Sequence, residues 1–168
     1  MGATRPEDEP VLQLTKRLDY ALIALTHLAV HPEERVSARE LAELYSMPIT
    51  LLANVLKALA RGGVLASTRG TKGGYQLAEA PAALPVGRIV ELIEGPLRLA
   101  ECIGHDHEDA GCCVSDTCPV KRSVFKLHVR IRDVLYGMTV AELASGARQP
   151  GEALPVAHSE VADCLSER

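Results

Sequence analysis

The chain has 168 residues, of which 47% are apolar and 24% are charged, a composition typical of one soluble globular domain of ordinary size. It has no Trp and only one Phe, so the core must consist of Leu, Val, Ile and Ala, which favours helices over strands. No apolar run approaches the roughly 18–20 residues that span a bilayer, and the acidic start is unlike a secretory signal. These features predict a cytoplasmic protein with no membrane partner.

The net charge of −4 is unevenly distributed along the chain. Residues 1–34 and 95–168 each have a balance of −3, whereas residues 35–94 have a balance of +2. Between Arg35 and Tyr75 there are six basic residues and only two acidic ones. A local positive region of this kind is typical of a DNA-reading module within an acidic protein.

The N-terminal part of the chain divides into a lead-in and a first helix. Residues 1–12 are polar, acidic and Pro-containing, which predicts a disordered segment. From Leu14 to Ala29 the apolar positions repeat at helical spacing, and the pattern stops before Pro32. This pattern predicts a helix that buries one stripe.

The next segment predicts a helix-turn-helix. A capping box, Ser37 to Glu40, opens a second helix, in which Leu41 and Leu44 are expected to face inward. Pro48 suits the first turn of a third helix, which extends to Arg61 and is closed by a glycine pair. The stripe expected to be buried on the third helix comprises Leu51, Leu52, Val55, Leu56 and Leu59.

A glycine-rich hairpin and a fourth helix complete the predicted DNA-binding domain. Residues 64–68 and 75–77 resemble short strands joined by a basic, glycine-rich tip. Residues 85–94 then predict a further helix. The predicted fold is mainly α with a small β-hairpin wing: a winged helix-turn-helix DNA-binding domain over residues 13–95.

A cysteine-rich loop, residues 96–119, follows this domain. A long helix, Val120 to Tyr136, follows the loop. The long helix is apolar on two sides and therefore needs two partners, its own domain and a symmetry mate. Residues 120–145 are thus predicted to contain a dimerisation helix and a short terminal helix, and residues 146–168 a disordered tail with Cys164. The heptad-like seam of the long helix is Val120, Val124, Leu127, Ile131 and Val134, and its second apolar face is Phe125, Val129 and Leu135.

The predicted architecture indicates which side chains contact double-stranded DNA. The N-terminal half of the second helix of a helix-turn-helix enters the major groove, and a glycine-flanked wing tip approaches phosphates or the minor groove. Asn54 has the amide geometry that pairs with adenine, whereas the lysines and arginines suit phosphates. The candidate DNA-binding residues are Thr50, Asn54, Lys57, Arg61, Arg69 and Lys72.

The loop over residues 96–119 concentrates side chains that bind metals. None of the cysteine spacings is the C-x₂-C knuckle that holds zinc, and adjacent cysteines point in different directions in most backbones. In a reducing cytosol the pattern leaves an iron–sulfur cluster, a zinc site and a thiol–disulfide switch as alternatives. The potential ligands in this loop are Cys102, Cys112, Cys113, Cys118, His105 and His107.

Three segments resemble a known family. They are LTKRLDYAL over residues 14–22, the wing RGTKGGYQLA over residues 69–78, and the three-thiolate loop before a long helix. Together they look like the winged-helix iron–sulfur transcriptional regulators of the IscR, NsrR and RirA type. The resemblance covers about residues 12–145. The motifs Leu99-Ala-Glu-Cys102, Gly111-Cys-Cys113 and Cys118-Pro119 are most similar to the branch that regulates SUF-type iron–sulfur assembly.

This resemblance implies a ligand set. The family ligands fall on Cys102, Cys112 and Cys118, with Cys113 as the alternate to its neighbour. The cluster is 2Fe–2S or 4Fe–4S, between which the sequence does not distinguish. NsrR-type proteins take a further ligand from the first helix of the other subunit, and Asp19 matches that position; the alternative is a helix-surface carboxylate.

The chain departs from the family at two points. The first cysteine interval is longer than usual, and Lys121 stands where IscR has a histidine three residues after its last cysteine. Both departures concern the fourth ligand.

The predicted function is that of a homodimeric, cluster-dependent transcriptional regulator, a repressor of SUF-type genes. The alternatives are a nitric-oxide, iron or redox sensor of the same family, or a regulator that uses zinc or a thiol switch. The sequence has no C-x-x-C pair, no nucleotide-binding glycine motif and no supported Ser/His/Asp arrangement, so no enzyme activity or small-molecule substrate is predicted.

Overall fold

The computed structural model describes residues 15–68, 70, 73–100, 103 and 117–147. The predicted lead over residues 1–12 and the tail beyond residue 147, including Cys164, lie outside this range. None of the described helices is both long and apolar enough to cross a bilayer. The elements are α1 (Lys16–Val30), α2 (Ala38–Leu44), α3 (Ile49–Arg61), β1 (Leu65–Thr68), β2 (Gly74–Leu77), a 3₁₀ turn (Pro81–Ala83), α4 (Val86–Glu94), α5 (Lys121–Gly137) and α6 (Val140–Ser145). The predicted fold class, mainly α with a hairpin wing, is confirmed.

Polar side chains fix the starts of the first two helices. The Thr15 hydroxyl oxygen accepts a hydrogen bond from the Leu18 N–H and caps α1, and the same hydroxyl donates to the Glu94 carboxylate at the end of α4. Ser37 and Glu40 form the predicted capping box at α2. These caps satisfy backbone N–H groups that have no partner inside their helix.

The turn between α2 and α3 is tight, and its geometry corrects two predictions. Ser46 has a φ of 52°, the left-handed conformation that reverses the chain. Pro48 is the residue that precedes α3 rather than its first helical residue, because its ψ of 114° is extended. Leu44 is 46% exposed rather than buried, and it is the last residue of α2.

One leucine-rich core holds the molecule together, and α1 lies at its centre. Helices α3, α4 and α6 and strand β2 all pack against α1. The short helix α6 joins this core because Val140 is fully buried and because Thr139 forms a β-bridge with Pro85. The fully buried side chains include Leu18, Leu25, Leu28, Leu41, Leu52, Leu56, Leu59, Leu84, Ile89 and Val140.

The wing is a two-stranded antiparallel hairpin with Leu65 opposite Leu77 and Thr68 opposite Gly74. Val36 adds an isolated antiparallel β-bridge by pairing with Tyr75, which joins the wing to the start of α2. A Cβ atom at Gly74 would lie 3.0 Å from the Val36 backbone, so a larger residue here would require the Val36 backbone to shift by a few tenths of an ångström.

The long helix α5 docks on α4 through one glycine and one tyrosine. A Cβ atom at Gly87 would lie 2.4 Å from the Tyr136 ring, which shows that the ring packs directly on the α4 backbone. The Tyr136 hydroxyl donates to Glu91 at 2.7 Å, and the Arg132 guanidinium lies 5.3 Å from the ring centroid. We refer to this contact as the α4–α5 junction.

The predicted seam of α5 is divided between two surroundings. Val124 and Ile131 are half-buried on the side of α5 that also includes His128 and Leu135. Val120, Leu127 and Val134, which follow one another at intervals of seven residues, are 54%, 53% and 68% exposed. These three residues are therefore the outward part of the predicted seam, while Phe125 and Val129 of the predicted second face are also exposed, at 54% and 36%.

Gly87→Ala is expected to lower the free energy of unfolding by about 1–3 kcal/mol, because the added methyl group must displace the Tyr136 ring. Urea unfolding followed by circular dichroism measures this change. Gly137→Ala is the matched control: nothing lies within 4 Å of its Cβ position, so its stability should equal or slightly exceed that of the parent. Equal effects of the two substitutions would show that the junction is not tightly packed.

Candidate functional site

The outer surface of α3 carries a continuous polar stripe. Thr50, Asn54, Lys57 and Arg61 are all exposed. At about 100° per residue, these four positions fall within an arc of roughly 60° on the helix. The four predicted residues of α3 therefore share one face, with the two cations toward its C-terminal end.

The opposite face of α3 fixes the orientation of this stripe. Leu52, Val55, Leu56 and Leu59 are completely buried, whereas Leu51, which was predicted to be buried, is half-buried. Among the described residues, neither Lys57 nor Arg61 has an ion-pair partner, so their charge is available to a ligand. Rotation of α3 about its axis would expose its buried leucines, and the stripe is thus held outward by the core.

The wing contributes a groove at its base. Arg69 and Lys72, the predicted contacts of the wing tip, lie outside the described residues. The described part of the groove lies between the start of α2 and the base of the wing, and its polar groups include the hydroxyls of Ser37, Ser67 and Thr68. Sequence reasoning missed these hydroxyls, although the pair Ser67-Thr68 directly before a basic glycine-rich tip was a signal.

Sequence reasoning also missed Ile49. It lies in the first turn of α3 and is 49% exposed. An apolar side chain at the leading end of a recognition helix can contact a thymine methyl group. Its place outside the buried stripe, at the first position of the helix, was the signal available in the sequence.

A histidine–tyrosine contact braces the turn of the helix-turn-helix. The Nδ1 atom of His27, on α1, lies 3.0 Å from the Tyr45 hydroxyl, and the two rings meet edge to face. The His31 ring is 4.7 Å from that of His27, and His31 in turn lies 3.8 Å from Glu34. Burial and the neighbouring His31 lower the pKa of His27, which keeps the imidazole neutral beside the turn.

Of the predicted ligands in the cysteine-rich loop, Cys118 is the one that lies among the described residues. Cys102, Cys112 and Cys113 lie outside the described residues, while Cys118 is half-buried three residues before α5 begins. Within the described part of the chain, no group of three His, Cys, Asp or Glu side chains is placed to hold a metal ion. The structure therefore positions one thiol relative to a helix and leaves the ligand set a prediction.

The start of α5 favours an anion near Cys118. Val120 gives the helix no side-chain cap, and the first turn contains basic residues but no acidic one. Positive side chains at a helix N-terminus oppose the helix dipole, which has its positive end there. A thiolate-bound cluster carries negative charge, so the donor chemistry at this helix end fits such a group.

Asp19, the predicted ligand from the other subunit, is half-buried in the first turn of α1. The Thr15 cap joins this turn to Glu94, at the end of α4, from which the chain leads into the cysteine loop. The side chain thus lies at the same end of the molecule as the start of that loop.

A helix-turn-helix with an exposed polar stripe, flanked by a hairpin wing, defines a winged-helix transcriptional regulator. The sequence matches the Rrf2 family, described as an iron-dependent transcriptional regulator, over residues 14–146. The chain belongs to this family. Its relatives are transcriptional regulators and not enzymes, which confirms the prediction of no enzyme activity.

Individual relatives support this assignment. The chain is 30% identical to the HTH-type transcriptional regulator NsrR of Halalkalibacterium halodurans over 133 residues, covering 79% of this chain and 90% of the relative. It superimposes on the global cysteine regulator CymR of B. subtilis with a TM-score of 0.65 and 26% identity, covering 82% of this chain and all of CymR. T. potens IscR gives a TM-score of 0.61 at 26% identity, with coverages of 86% and 95%.

The His27 contact predicts how stability depends on pH. Because the pKa of His27 is lower in the folded chain than its ordinary value of 6.5, the unfolded chain takes up the proton first as the pH falls. The contribution of His27 to stability is therefore complete above pH 6.5 and declines as the pH falls from 6.5 through the folded pKa. His27→Gln should flatten this part of the curve of unfolding free energy against pH.

Tyr45→Phe provides the control for this experiment. It removes the hydroxyl that contacts His27 but keeps the burial that is the main cause of the lowered pKa. The pH dependence should thus persist in Tyr45→Phe. If His27→Gln retained the full slope of the parent, another group would be responsible.

Proposed function

We propose that this regulator is a homodimeric, iron–sulfur cluster-dependent repressor that binds a pseudo-palindromic double-stranded DNA operator. The observation that carries the DNA-binding part is the single exposed stripe of α3, whose polar and cationic members have no competing ion pairs among the described residues. The remaining parts concern the dimer, the cluster and the target genes, and each has its own support.

On α3 we assign base reading and phosphate binding to different residues. Thr50 and Asn54 occupy the N-terminal half, which enters the major groove in helix-turn-helix proteins, and the Asn54 amide suits adenine. Lys57 and Arg61 lie nearer the C-terminal end and suit backbone phosphates. Arg69 and Lys72 would extend the contact from the wing tip to a minor groove or flanking phosphates.

The homodimer is supported by the outward surface of α5. Val120, Leu127 and Val134 form an apolar line along the helix, with exposures of 54%, 53% and 68%. Apolar residues at seven-residue spacing are typical of a helix that pairs with another helix. A second copy of α5 would cover this line and place the two recognition helices at a fixed separation.

The cluster is proposed to be held by Cys102, Cys112 and Cys118, with Cys113 as the alternate and Asp19 of the other subunit as the fourth ligand. Support comes from the uncapped, basic start of α5 beside Cys118 and from the family description as iron-dependent. The group would supply a redox-active and iron-responsive centre. Its type, 2Fe–2S or 4Fe–4S, follows from the number of irons bound.

A chain of packed contacts connects the cysteine site to the recognition helix. Cys118 precedes α5, and α5 packs on α4 at Gly87, Glu91 and Tyr136. Arg88 of α4 donates to the Gly62 carbonyl at the end of α3. A change at the start of α5 can therefore shift the population between two orientations of α3 within the dimer. Regulation results only if these two orientations differ in their affinity for DNA.

SUF-type iron–sulfur assembly genes are the proposed targets. This part rests on the resemblance of Leu99 to Cys102, Gly111 to Cys113 and Cys118-Pro119 to one branch of the family. A nitric-oxide, iron or redox signal acting on the same site is the alternative within this proposal.

The operator for this experiment is selected from random duplexes. Lys57→Gln is expected to weaken DNA binding, and to weaken it almost equally for the operator and for other duplex sequences. Because both protomers of the proposed homodimer carry the substitution, loss of one phosphate contact per protomer should reduce the slope of log K against log salt concentration by about 1.8. Fluorescence anisotropy titrations at several salt concentrations measure both effects. Asn54→Ala should instead relax the preference at one base position in each half-site, at a cost of about 1–3 kcal/mol per half-site.

Two controls test this interpretation. Lys126→Gln removes an equal charge from exposed α5 and should leave operator binding unchanged. A duplex with one half-site should bind much more weakly than the complete operator, because a dimer then makes half of its contacts. Wild-type affinity and salt slope in Lys57→Gln would contradict the assignment of α3 as the reading helix.

Cys118→Ala is expected to abolish the bound iron and sulfide while leaving the thermal unfolding midpoint of the cluster-free chain nearly unchanged. The thiol is only half-buried, so its removal opens no large cavity. Iron and acid-labile sulfide analysis with a visible spectrum, on protein purified without oxygen, measures the loss.

Cys164→Ala is the matched control and should retain the cluster. Unaltered iron and sulfide in Cys118→Ala would contradict the ligand assignment. Zinc in place of iron, or no metal after reconstitution, would leave a winged-helix regulator that uses zinc or a thiol switch.

A further inference from the structure

We propose that Arg88, on α4, is a positioning residue for DNA binding, which holds the recognition helix α3 and the wing in a fixed relation to one another. Its guanidinium bonds to both elements at once, at the points where the chain leaves each of them. The inference rests on the proposed function, because its consequence is an effect on the affinity for DNA.

The guanidinium of Arg88 lies between the end of α3 and the end of the wing. Its Nη1 atom donates to the two carboxylate oxygens of Glu79 at 2.9 and 3.1 Å, and its Nη2 atom donates to the Gly62 carbonyl oxygen at 3.2 Å. Gly62 is the C-cap of α3, and Glu79 is the second residue after β2. One side chain from the first turn of α4 therefore bonds to the ends of both DNA-contacting elements.

The chain passes from α3 to the wing through residues 62–64, which we call the α3–wing joint. Two of these residues are glycines, and Gly63 has a φ of 73°, a conformation that residues with a side chain rarely adopt. Glycine also has the greatest backbone freedom of any residue. The Arg88 Nη2 atom lies 3.9 Å from the position of a Cβ atom at Gly63, so the guanidinium lies directly beside the most adaptable part of the joint.

One face of α4 supports this joint at two points. A Cβ atom at Gly62 would lie 2.4 Å from the Leu92 side chain, which shows that the joint packs closely on that leucine. Leu92 and Arg88 are four residues apart and so share a face of the helix. Leu92 supplies the apolar part of the support, and Arg88 supplies the part with fixed direction.

The contribution of Arg88 is one of position more than of stability. The side chains of Arg88 and Glu79 are 37% and 40% exposed, and an ion pair so accessible to water adds little to the stability of the fold. A forked, planar guanidinium nevertheless binds two acceptors at a fixed separation, which the single ammonium of a lysine does not. A cation at Gly62 also interacts favourably with the negative end of the α3 dipole.

The two DNA contacts of one protomer reinforce each other only while α3 and the wing keep a fixed relation. The second contact then forms within an already bound complex, at an effective concentration set by how rigidly it is held. Without the Arg88 bridge the wing must be ordered during binding, and the affinity falls by that cost. Because Glu79 and Gly62 already occupy the guanidinium, Arg88 acts on DNA through α3 and the wing rather than by binding a phosphate.

Fluorescence anisotropy with the operator selected from random duplexes tests this role. Arg88→Gln is expected to weaken operator binding by about tenfold, and Glu79→Ala should weaken it several-fold. The double variant should bind no more weakly than Arg88→Gln, since both substitutions remove the same bridge. Arg88→Lys should recover only part of the affinity, because it keeps the charge without the fork. Lys126→Gln, on exposed α5, should bind as the parent does.

The result for Glu79→Ala distinguishes a positioning role from a direct one. Removal of a negative charge from a DNA-binding domain would by itself strengthen binding to phosphates. If Arg88 bound a phosphate directly, loss of Glu79 would also free its guanidinium for that contact. Weaker binding of Glu79→Ala is therefore expected only if the bridge between α3 and the wing is what matters.

Hydrogen exchange of the free, full-length protein, followed by NMR, examines the joint without DNA. The Val64 N–H donates to the Leu59 carbonyl in α3, and the Ala78 N–H donates to the Val64 carbonyl at the base of the wing. Both amides should exchange several-fold faster in Arg88→Gln than in the parent, because the joint opens more often. The amide of Leu25, in the buried core of α1, should exchange at the rate of the parent.

Four results would overturn the proposal. They are an operator affinity of Glu79→Ala equal to or higher than that of the parent, effects of Arg88→Gln and Glu79→Ala that multiply, unchanged exchange at Val64 and Ala78, and an equal acceleration at Leu25, which would indicate a general loss of stability. A parent that fails to bind the operator would instead contradict the proposed function. The exchange rates of the joint would then decide this inference on their own.

Discussion

The close packing of α1 against its neighbours is the constraint on which the rest of the structure depends. Ala21 and Ala24 are completely buried on this helix, between the buried leucines Leu18, Leu25 and Leu28. Small and large side chains that alternate in this way let other helices approach closely, in a chain with only one Phe and no Trp. The direction of the α3 stripe, the base of the wing and the docking of α4 all follow from contacts with this one helix.

Much of this architecture was predictable because its signals are local. The capping box at Ser37, the helical period of α3 and the glycines of the wing each act within a few residues. The same locality explains the misses. Leu44 has the right spacing for burial but lies at the end of α2, and α6, with six residues, is too short for its period to show that Val140 belongs to the core.

The surroundings of α5 were less predictable because they depend on contacts distant in sequence. An apolar seam alone does not distinguish residues that face α4 from residues that face outward. His128 is a polar residue within the apolar pattern of α5. The tyrosine at position 136 packs on α4 only because Gly87 leaves room for its ring. The cysteine ligands are a prediction from residue type and resemblance, because a ligand set brought together by a loop leaves no periodic signal in the sequence.

The β-bridge between Pro85 and Thr139 makes α5 a lever with one fixed end. The chain re-enters the core through this bridge and α6, directly after Tyr136, whereas the other end of α5 leads only to the cysteine loop. The helix has 17 residues, so its length is about 25 Å at 1.5 Å per residue. A rotation of about 5° at the fixed end moves the far end by about 2 Å over that length. A small rotation of α5 at Tyr136 and a displacement of the residues near Cys118 are thus the same motion. A force applied at the cysteine end of α5 therefore acts on the α4–α5 junction over the full length of the helix.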